Sequence, residues 1–427
     1  MASSFLEEMK WRGLYQDATP EADHLLASGS IRAYVGFDPT APSLTIGNLV
    51  PLMLLVHLKR TGHQPVALLG GATGRIGDPS GKDEERQLLS EAVLDENTAQ
   101  IEKQIRHVLR KEPGQHEPLV VNNYDWFEDF RFIDFLRDAG KHLTLRYMMN
   151  KESVRRRLET GISFTEFAYQ LLQGYDFAHL HQQYHVKMQM GGSDQWGNMT
   201  TGIELIRRMH GGEAGAMTAP LLVREDGSKF GKSAGQNIWL SPEYTSPYQF
   251  YQFWINCTDE ESARFTRIFS TRSRENIEAL EAEHRQAPQK RLLQKALAQE
   301  VTARIHDQEA MEQAEKATEI LFGKGTSEAL AALDENTLLE IFAGVPQYTL
   351  SRSRLESGIS VLSLIAEETG VFESKGEARR MIRQNGLSIN KTKQPQEDRE
   401  VNTAHLLQDR YLLIQKGKKQ YHLVVAV

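Results

Sequence analysis

The stretch that decides the fold is Tyr34-Val35-Gly36-Phe37-Asp38-Pro39-Thr40-Ala41-Pro42-Ser43-Leu44-Thr45-Ile46-Gly47-Asn48, which runs into the apolar segment Leu49 to Leu58. Ala33 to Val35 is β-prone and stops at Gly36, while Pro39 and Pro42 forbid an immediate helix. Ser43 is predicted to cap a helix beginning near Leu44, with Pro51 kinking or restarting an early turn. A strand, a tight loop and a helix N-terminus leave backbone N–H groups pointing out of the helix end. Thr40, Thr45 and Asn48 add side-chain donors beside them, an arrangement suited to a phosphate or a ribose. Taken alone, the stretch reads equally well as an ordinary β-loop-α connection.

Working outward, the chain turns at Thr61-Gly62-His63 and enters Val66 to Leu69, a buried-type strand ending in Gly70-Gly71, so the opening is a βαβ unit. The glycine-rich run Gly74 to Lys82 fails both common phosphate motifs. A dinucleotide fingerprint would need glycine where Ala72 stands, and a P-loop would need glycine at Ile76 and Ser or Thr at Asp83. Ala99 to Lys111, Phe130 to Ala139 and Ser153 to Leu158 read as helices, with Asn122 to Trp126 a turn-rich interruption.

Ser163-Phe164-Thr165-Glu166 is a capping box that marks the start of a further helix. Down it, Tyr169, Gln173 and Asp176 fall at spacings of four and three and share one face. On an arbitrary helix such a face is a solvated stripe. The same trio also suits recognition of an ammonium group and a phenol. Val186 to Met190 reads as a strand, and Gly191 to Gly197 as its turn into a helix, at the carboxyl end of a strand where parallel sheets bind ligands. Arg224 to Ser228 is a turn, followed by Lys229-Phe230-Gly231-Lys232-Ser233.

Length and composition bound the rest. A chain of 427 residues with 40% hydrophobic residues can fill about three domains. One cysteine, Cys257, excludes an internal disulfide and a multi-cysteine zinc site. The N-terminus has no secretory pattern, and Leu49 to Leu58 is too short to span a bilayer, which leads to the expectation of a cytoplasmic protein with no membrane partner. The net charge of −7 is uneven: residues 351–427 carry +4 and the remainder −11. That asymmetry fits a terminal nucleic-acid-binding module on an acidic body, and equally a solvated charged face. Ser246-Pro247 opens a helical region that runs to about Phe322, with boundaries at Gly323 to Ser327 and Gly344 to Pro346. Beyond it come a helix from about Leu362, the basic segment Ser374 to Ile382, a turn at Asn385-Gly386, and two terminal strands, Tyr411 to Ile414 and Tyr421 to Val425.

Thr45-Ile46-Gly47-Asn48 resembles the His-Ile-Gly-His signature of class I aminoacyl-tRNA synthetases, with both histidines replaced. Lys229 to Ser233, about 185 residues downstream, resembles their Lys-Met-Ser-Lys-Ser signature in the form bacterial tyrosyl enzymes use. The pairing is more specific than either motif, because phosphoryl chemistry is mostly positioning and charge neutralisation.

The resemblance to bacterial-type tyrosyl-tRNA synthetases covers essentially the whole chain. It implies an α/β fold: a Rossmann-like parallel-sheet catalytic domain over 1–240 with a dimer-interface insertion, an α-helical tRNA anticodon-arm domain over 241–325, a linker over 326–350, and a small α+β RNA-binding domain over 351–427. It implies tyrosine recognition by Tyr34, Asp78, Tyr169, Gln173, Asp176 and Gln195, and ATP binding by Gly36, Asp38, Thr40, Gly47, Asn48, Gly192, Asp194 and Lys232. Catalysis would rest on Thr40, Thr45, Lys82, Arg86, Lys229, Lys232 and Ser233. Arg379, Arg380, Arg383, Lys416, Lys418 and Lys419 would contact RNA. The partners implied are L-tyrosine, ATP with Mg²⁺, tRNA(Tyr) and a second copy of the chain, without a tightly bound protein metal site.

Because Thr45 is a short neutral hydroxyl in place of a longer donor, other groups must carry the phosphate charge, and Thr45→His is expected to speed adenylate formation. Two alternatives compete: a catalytically degenerate paralogue that binds structured RNA, and a ligase for tryptophan. Intact Lys229, Lys232, Asp78 and Asp176 argue against the first, and Tyr34 with Asp176 favours a phenol over an indole.

Overall fold

The computed structural model describes residues 4–78, 80, 89–151, 154–155, 161–223, 230–233, 236–322, 327–342, 345–417 and 420–427. The chain divides into two compact units, one of residues 1–245 and 253–307, the other of residues 246–252 and 308–427.

The first unit is built on a six-stranded sheet. Its strands are β1 (Asp17–Ala18), β2 (Arg32–Phe37), β3 (Gln64–Leu69), β4 (Leu119–Asn122), β5 (Val186–Gly192) and β6 (Gly215–Ala219). Their order is β1-β6-β5-β2-β3-β4, all parallel except the edge strand β1. The two central strands, β2 and β5, are neighbours that feed helices on either side of the sequence gap between them, so their carboxyl ends form the crevice such sheets use for ligands.

The helix that follows β2 spans Ile46–Arg60 and is buried on nearly every side, from Leu49 through Leu58. It packs on β2, β3 and β5 and on the helix Asp259–Phe269, which explains why its sequence is apolar throughout rather than striped. Two expectations for this region are corrected. The N-cap is Thr45, not Ser43. The Ser43 hydroxyl instead donates to the Leu44 carbonyl (2.9 Å) and accepts from Gln104 Nε2 (3.0 Å) and the Ser241 amide (3.1 Å), so distant partners outbid the local cap. Pro51 does not restart the helix; it lies inside a continuous element whose tertiary burial absorbs the lost hydrogen bond. β2 and β5 also run further than expected, to Phe37 and Gly192.

The helix Phe164–Tyr184 begins at the capping box of Ser163 and Glu166, as predicted. It lies close against the helix Trp196–His210 because glycines face each other. A Cβ on Gly174 would sit 3.0 Å from Leu205 and Thr201 side-chain atoms, and one on Gly202 would sit 2.8 Å from Phe177 Cβ. This close approach fixes the height of residues 173–176 over the sheet.

Helices Asp259–Phe269, Arg274–Gln286 and Leu292–Ile305 complete this unit, matching the helical pattern read after Ser246. The second unit includes the helix Gln308–Phe322 and a five-stranded sheet in the order Thr392–Lys393, Leu387–Ile389, Tyr411–Lys416, Gln420–Ala426, Gln347–Leu350. The helix Lys375–Arg383 packs into that sheet's core through Ala378 and Ile382. No helix among the described residues is long and apolar enough to cross a membrane.

Candidate active site

A cavity of about 460 Å³ opens at the carboxyl ends of β2 and β5. It brings together twelve predicted residues: Tyr34, Gly36, Asp38, Thr40, Asn48, Asp78, Tyr169, Gln173, Asp176, Gly192, Asp194 and Gln195. A second cavity, of about 650 Å³, shares Asp38, Thr40 and Asn48 with the first and adds Thr45, Gly74, Gly77, Asn237 and Trp239. Gly47 lines neither.

The floor of the first cavity is polar and buried. Among the described residues, the Tyr34 hydroxyl has no hydrogen-bond partner, and neither does Oε1 of Gln189, the residue beside Tyr34 on the neighbouring strand. A buried donor and a buried acceptor left open in a cavity are costly unless a ligand completes them. Asp176 is 1% exposed and held at both oxygens, by Asn123 Nδ2 (3.0 Å) and by Trp126 Nε1 (3.0 Å). Burial outweighs those two hydrogen bonds and pushes its carboxyl up to about 8. The same burial, with the adjacent Asp176, drives the Tyr34 phenol well above its usual range, so its proton stays on as a donor.

Above this floor sits a carboxylate-rich wall. Tyr169 donates to Asp38 Oδ2 (2.8 Å), while Asp38 Oδ1 accepts from Thr73 (2.7 Å). Burial and the nearby Asp38 and Asp78 raise the Tyr169 phenol. Gln195 donates to Asp78 (2.6 Å), and Asn198 donates to Gln173 Oε1 (2.9 Å). Burial raises Asp194. Gly192 lies close to Asp194, since a Cβ there would lie 2.5 Å from Asp194 Oδ1 and displace that carboxylate. The face Tyr169, Gln173, Asp176 is therefore no solvated stripe; it looks into the cavity.

Sequence reasoning missed the groups that aim these side chains: Asn123, Trp126, Gln189, Thr73 and Asn198. The stretch Asn122 to Trp126, read as a turn-rich interruption, is the end of β4 followed by a short helix, Tyr124–Phe127, that carries the support for Asp176. Its run of polar residues beside a Trp was the available signal.

The two signature segments meet through backbone. The Ile46 amide donates to the Ile238 carbonyl (2.9 Å) and the Leu240 amide to the Leu44 carbonyl (2.8 Å), with Thr45 paired to Trp239. Gly231, at φ +95°, approaches so closely that a Cβ would lie 3.3 Å from the Gly47 amide nitrogen. Phe230 anchors this segment, its ring 4.9 Å from Phe265 and 5.7 Å from Phe269 between centroids. Lys232 and Ser233 form β7, paired with β8 (Gln236–Asn237); their side chains, and Lys82, Arg86 and Lys229 entirely, lie outside the described residues. In the second unit Arg379 is paired with Glu397 (2.7 Å) and Lys416 with Glu377 (2.8 Å), while Arg380 and Arg383 are exposed. Lys418 and Lys419 lie outside the described residues.

Residues 26–323 match the family model for tRNA synthetases class I (W and Y). The chain belongs to that family. Residues 337–424 of this class I synthetase match the C-terminal domain model of tyrosine–tRNA ligases. It is 57% identical over 423 residues to the tyrosine–tRNA ligase of Cytophaga hutchinsonii, covering 99% of each chain. To that of Bacteroides thetaiotaomicron it is 53% identical, covering 99% of this chain and all of the relative. Among solved structures, a C-terminally truncated mitochondrial tyrosyl-tRNA synthetase of Aspergillus nidulans aligns with TM-score 0.68 and 28% identity over 75% of this chain and 94% of that one. A Plasmodium falciparum tryptophanyl-tRNA synthetase shares the fold at TM-score 0.52 and 14% identity.

Asp176 makes the stability of this synthetase pH-dependent with a defined sign. Its folded-state pKa, about 8, lies above the roughly 3.9 of an unfolded Asp. Between those values the folded chain holds a proton that the unfolded chain has lost, so raising the pH from about 5 to about 8 lowers stability through this group. Asp176→Asn removes the titration. The unfolding free energy of the parent relative to Asp176→Asn, read from urea melts, should fall across that range; a pH-independent difference would refute the assignment.

Proposed function

We propose that the chain is a tyrosine–tRNA ligase that activates L-tyrosine with ATP and transfers the tyrosyl group to the terminal ribose of tRNA(Tyr). The observation that carries the tyrosine reading is the buried Tyr34 hydroxyl, left without a partner in a cavity beside the buried Asp176. A phenol completes both: its oxygen accepts from Tyr34 and its proton goes toward Asp176. Phenylalanine would leave the Tyr34 hydroxyl unpaired and bring Asp176 no donor, and an indole N–H would offer Tyr34 no acceptor, in the interior where the penalty is largest.

The rest of the wall supports the same substrate. Asp78, Tyr169 and Gln173 offer acceptors to the ammonium group, and Gln195 lies near the carboxylate. In the first step a tyrosine carboxylate oxygen forms a bond to the ATP α-phosphorus as the bond to the β-phosphate oxygen breaks and pyrophosphate leaves. The tRNA ribose hydroxyl then attacks the tyrosyl carbonyl and AMP departs. Carboxylate is nucleophilic enough without a covalent enzyme intermediate, so the protein's work is orientation and charge stabilisation.

Asn48 is turned for such a task. Its Oδ1 accepts from the Thr45 amide (2.9 Å) and hydroxyl (2.8 Å), so its Nδ2 is the end left to offer a donor to the nucleotide ribose. Gly192 and Asp194 flank that position, and magnesium enters with ATP. Lys82, Arg86, Lys229 and Lys232 would neutralise the departing pyrophosphate.

We also propose the homodimer. Phe132, Ile133, Leu136, Leu145, Met149 and Phe164 are exposed apolar side chains grouped in the insertion after β4 and at the start of the helix Phe164–Tyr184. Such a concentration marks an interface.

Tyrosine-dependent exchange of labelled pyrophosphate into ATP is the direct test. Exchange should be supported by tyrosine, with phenylalanine about 10⁴ to 10⁵ less effective, a range known from other synthetases that recognise a hydroxyl, a tyrosyl enzyme among them, rather than from this structure. Faster exchange with tryptophan would install the tryptophan reading, and none with any amino acid in folded, tRNA-binding protein would install the non-catalytic one. For the dimer, Ile133→Asp should shift sedimentation from dimer to monomer; a monomeric parent, or a variant that stays dimeric, would refute this interface.

A further inference from the structure

The first signature lacks both histidines, and its remaining hydroxyl is occupied. Thr45 caps the helix Ile46–Arg60, and its Oγ1 gives its proton to Asn48 Oδ1 (2.8 Å), a residue that lines the same cavity. The donor that a longer side chain would supply at this corner must come from elsewhere.

Asn237 stands in the right place. It lines the 650 Å³ cavity together with Thr40, Thr45 and Asn48, and it is exposed to that space. Its side-chain amide takes part in no hydrogen bond among the described residues. Two backbone devices hold it there. It is the cross-strand partner of Lys232 in the β7–β8 hairpin, and the residue that follows, Ile238, accepts from the Ile46 amide (2.9 Å) and donates to the Gly231 carbonyl (2.9 Å). The strand is thus tied on both sides, to the helix N-terminus and to the second signature. Among the described residues, the charged side chain lining this cavity is Asp38, already engaged by Thr73 and Tyr169, so neutral donors matter there.

We propose that Asn237 is a substrate-contacting residue whose Nδ2 donates to an oxygen of the β- or γ-phosphate of ATP, and of the pyrophosphate that leaves, in place of the side chain shortened at Thr45. This rests on the ATP-dependent reading of the site, but not on which amino acid is activated. It also revises the expectation for Thr45→His. With Asn237 present, the added imidazole duplicates a contact and disturbs a helix cap, so the variant gains less than it does without Asn237.

The test is a cycle of the parent, Asn237→Ala, Thr45→His and the double variant. Binding of magnesium pyrophosphate and of magnesium ATP is measured by calorimetry, beside single-turnover adenylate formation. A donor to a charged oxygen predicts that Asn237→Ala weakens pyrophosphate binding and slows adenylate formation roughly tenfold to a hundredfold, with tyrosine affinity unchanged. Asn237→Asp, which places a carboxylate against the phosphates, should lose more. Thr45→His should restore at least part of the loss in the Asn237→Ala background, with a larger effect there than on the parent.

Pyrophosphate binding within twofold of the parent in Asn237→Ala would overturn the proposal. So would strictly additive effects in the cycle, or a matching loss of tyrosine affinity, which would indicate a merely structural position. If the parent binds pyrophosphate and ATP yet activates no tyrosine, the tyrosine reading fails while the binding arm still decides Asn237.

Discussion

The site depends on a carboxylate kept where carboxylates do not belong. Asp176 is enclosed by protein and, among the described residues, has two hydrogen bonds, from Asn123 and Trp126, to offset the loss of water. On the proposed reading, that deficit is what makes a phenol welcome. A ligand hydroxyl that donates to Asp176 and accepts from Tyr34 supplies what the interior withholds from both, and a ligand without one leaves the penalty standing.

The phosphate side is organised by a different principle. There the protein uses backbone to bring two remote segments together: residues 44–46 pair with residues 238–240, and Gly231 lies against Gly47. The first signature contributes a helix end and short neutral donors, and the second lies within reach because it is stitched to the first. Phe230, set among Phe253, Trp254, Phe265 and Phe269, ties the same segment to the helices behind it. On the proposed reading, the side chain shortened at position 45 is made good from the neighbouring strand.

Local rules carried the sequence reading where the partners are local. The capping box at Ser163 and Glu166 satisfies itself within one turn, and it is present as read. Tyr169, Gln173 and Asp176 share a face because helical spacing demands it. The reading failed where long-range partners decide. Ser43 is a good cap by type, but Gln104 and Ser241 claim its hydroxyl, and the helix starts at Thr45 instead. Pro51 is a helix breaker by type, yet burial holds the helix together. Asn123 and Trp126 reach Asp176 across about fifty residues of sequence, and no periodicity announces such a contact. The basic surface of the second unit was visible as charge, but not that Arg379 and Lys416 would be engaged by Glu397 and Glu377.

On the proposed reading, Asp176, protonated in the free chain near pH 7, gives up its proton to receive a phenol. The measurement that tests it most directly is the proton count on tyrosine binding near pH 7, obtained by calorimetry in buffers of different ionisation enthalpy. With the carboxyl at about 8 in the free chain, binding that requires its ionised form should release close to one proton per site, and Asp176→Asn should release none. Tyrosine binding to the parent with no proton release would contradict the account.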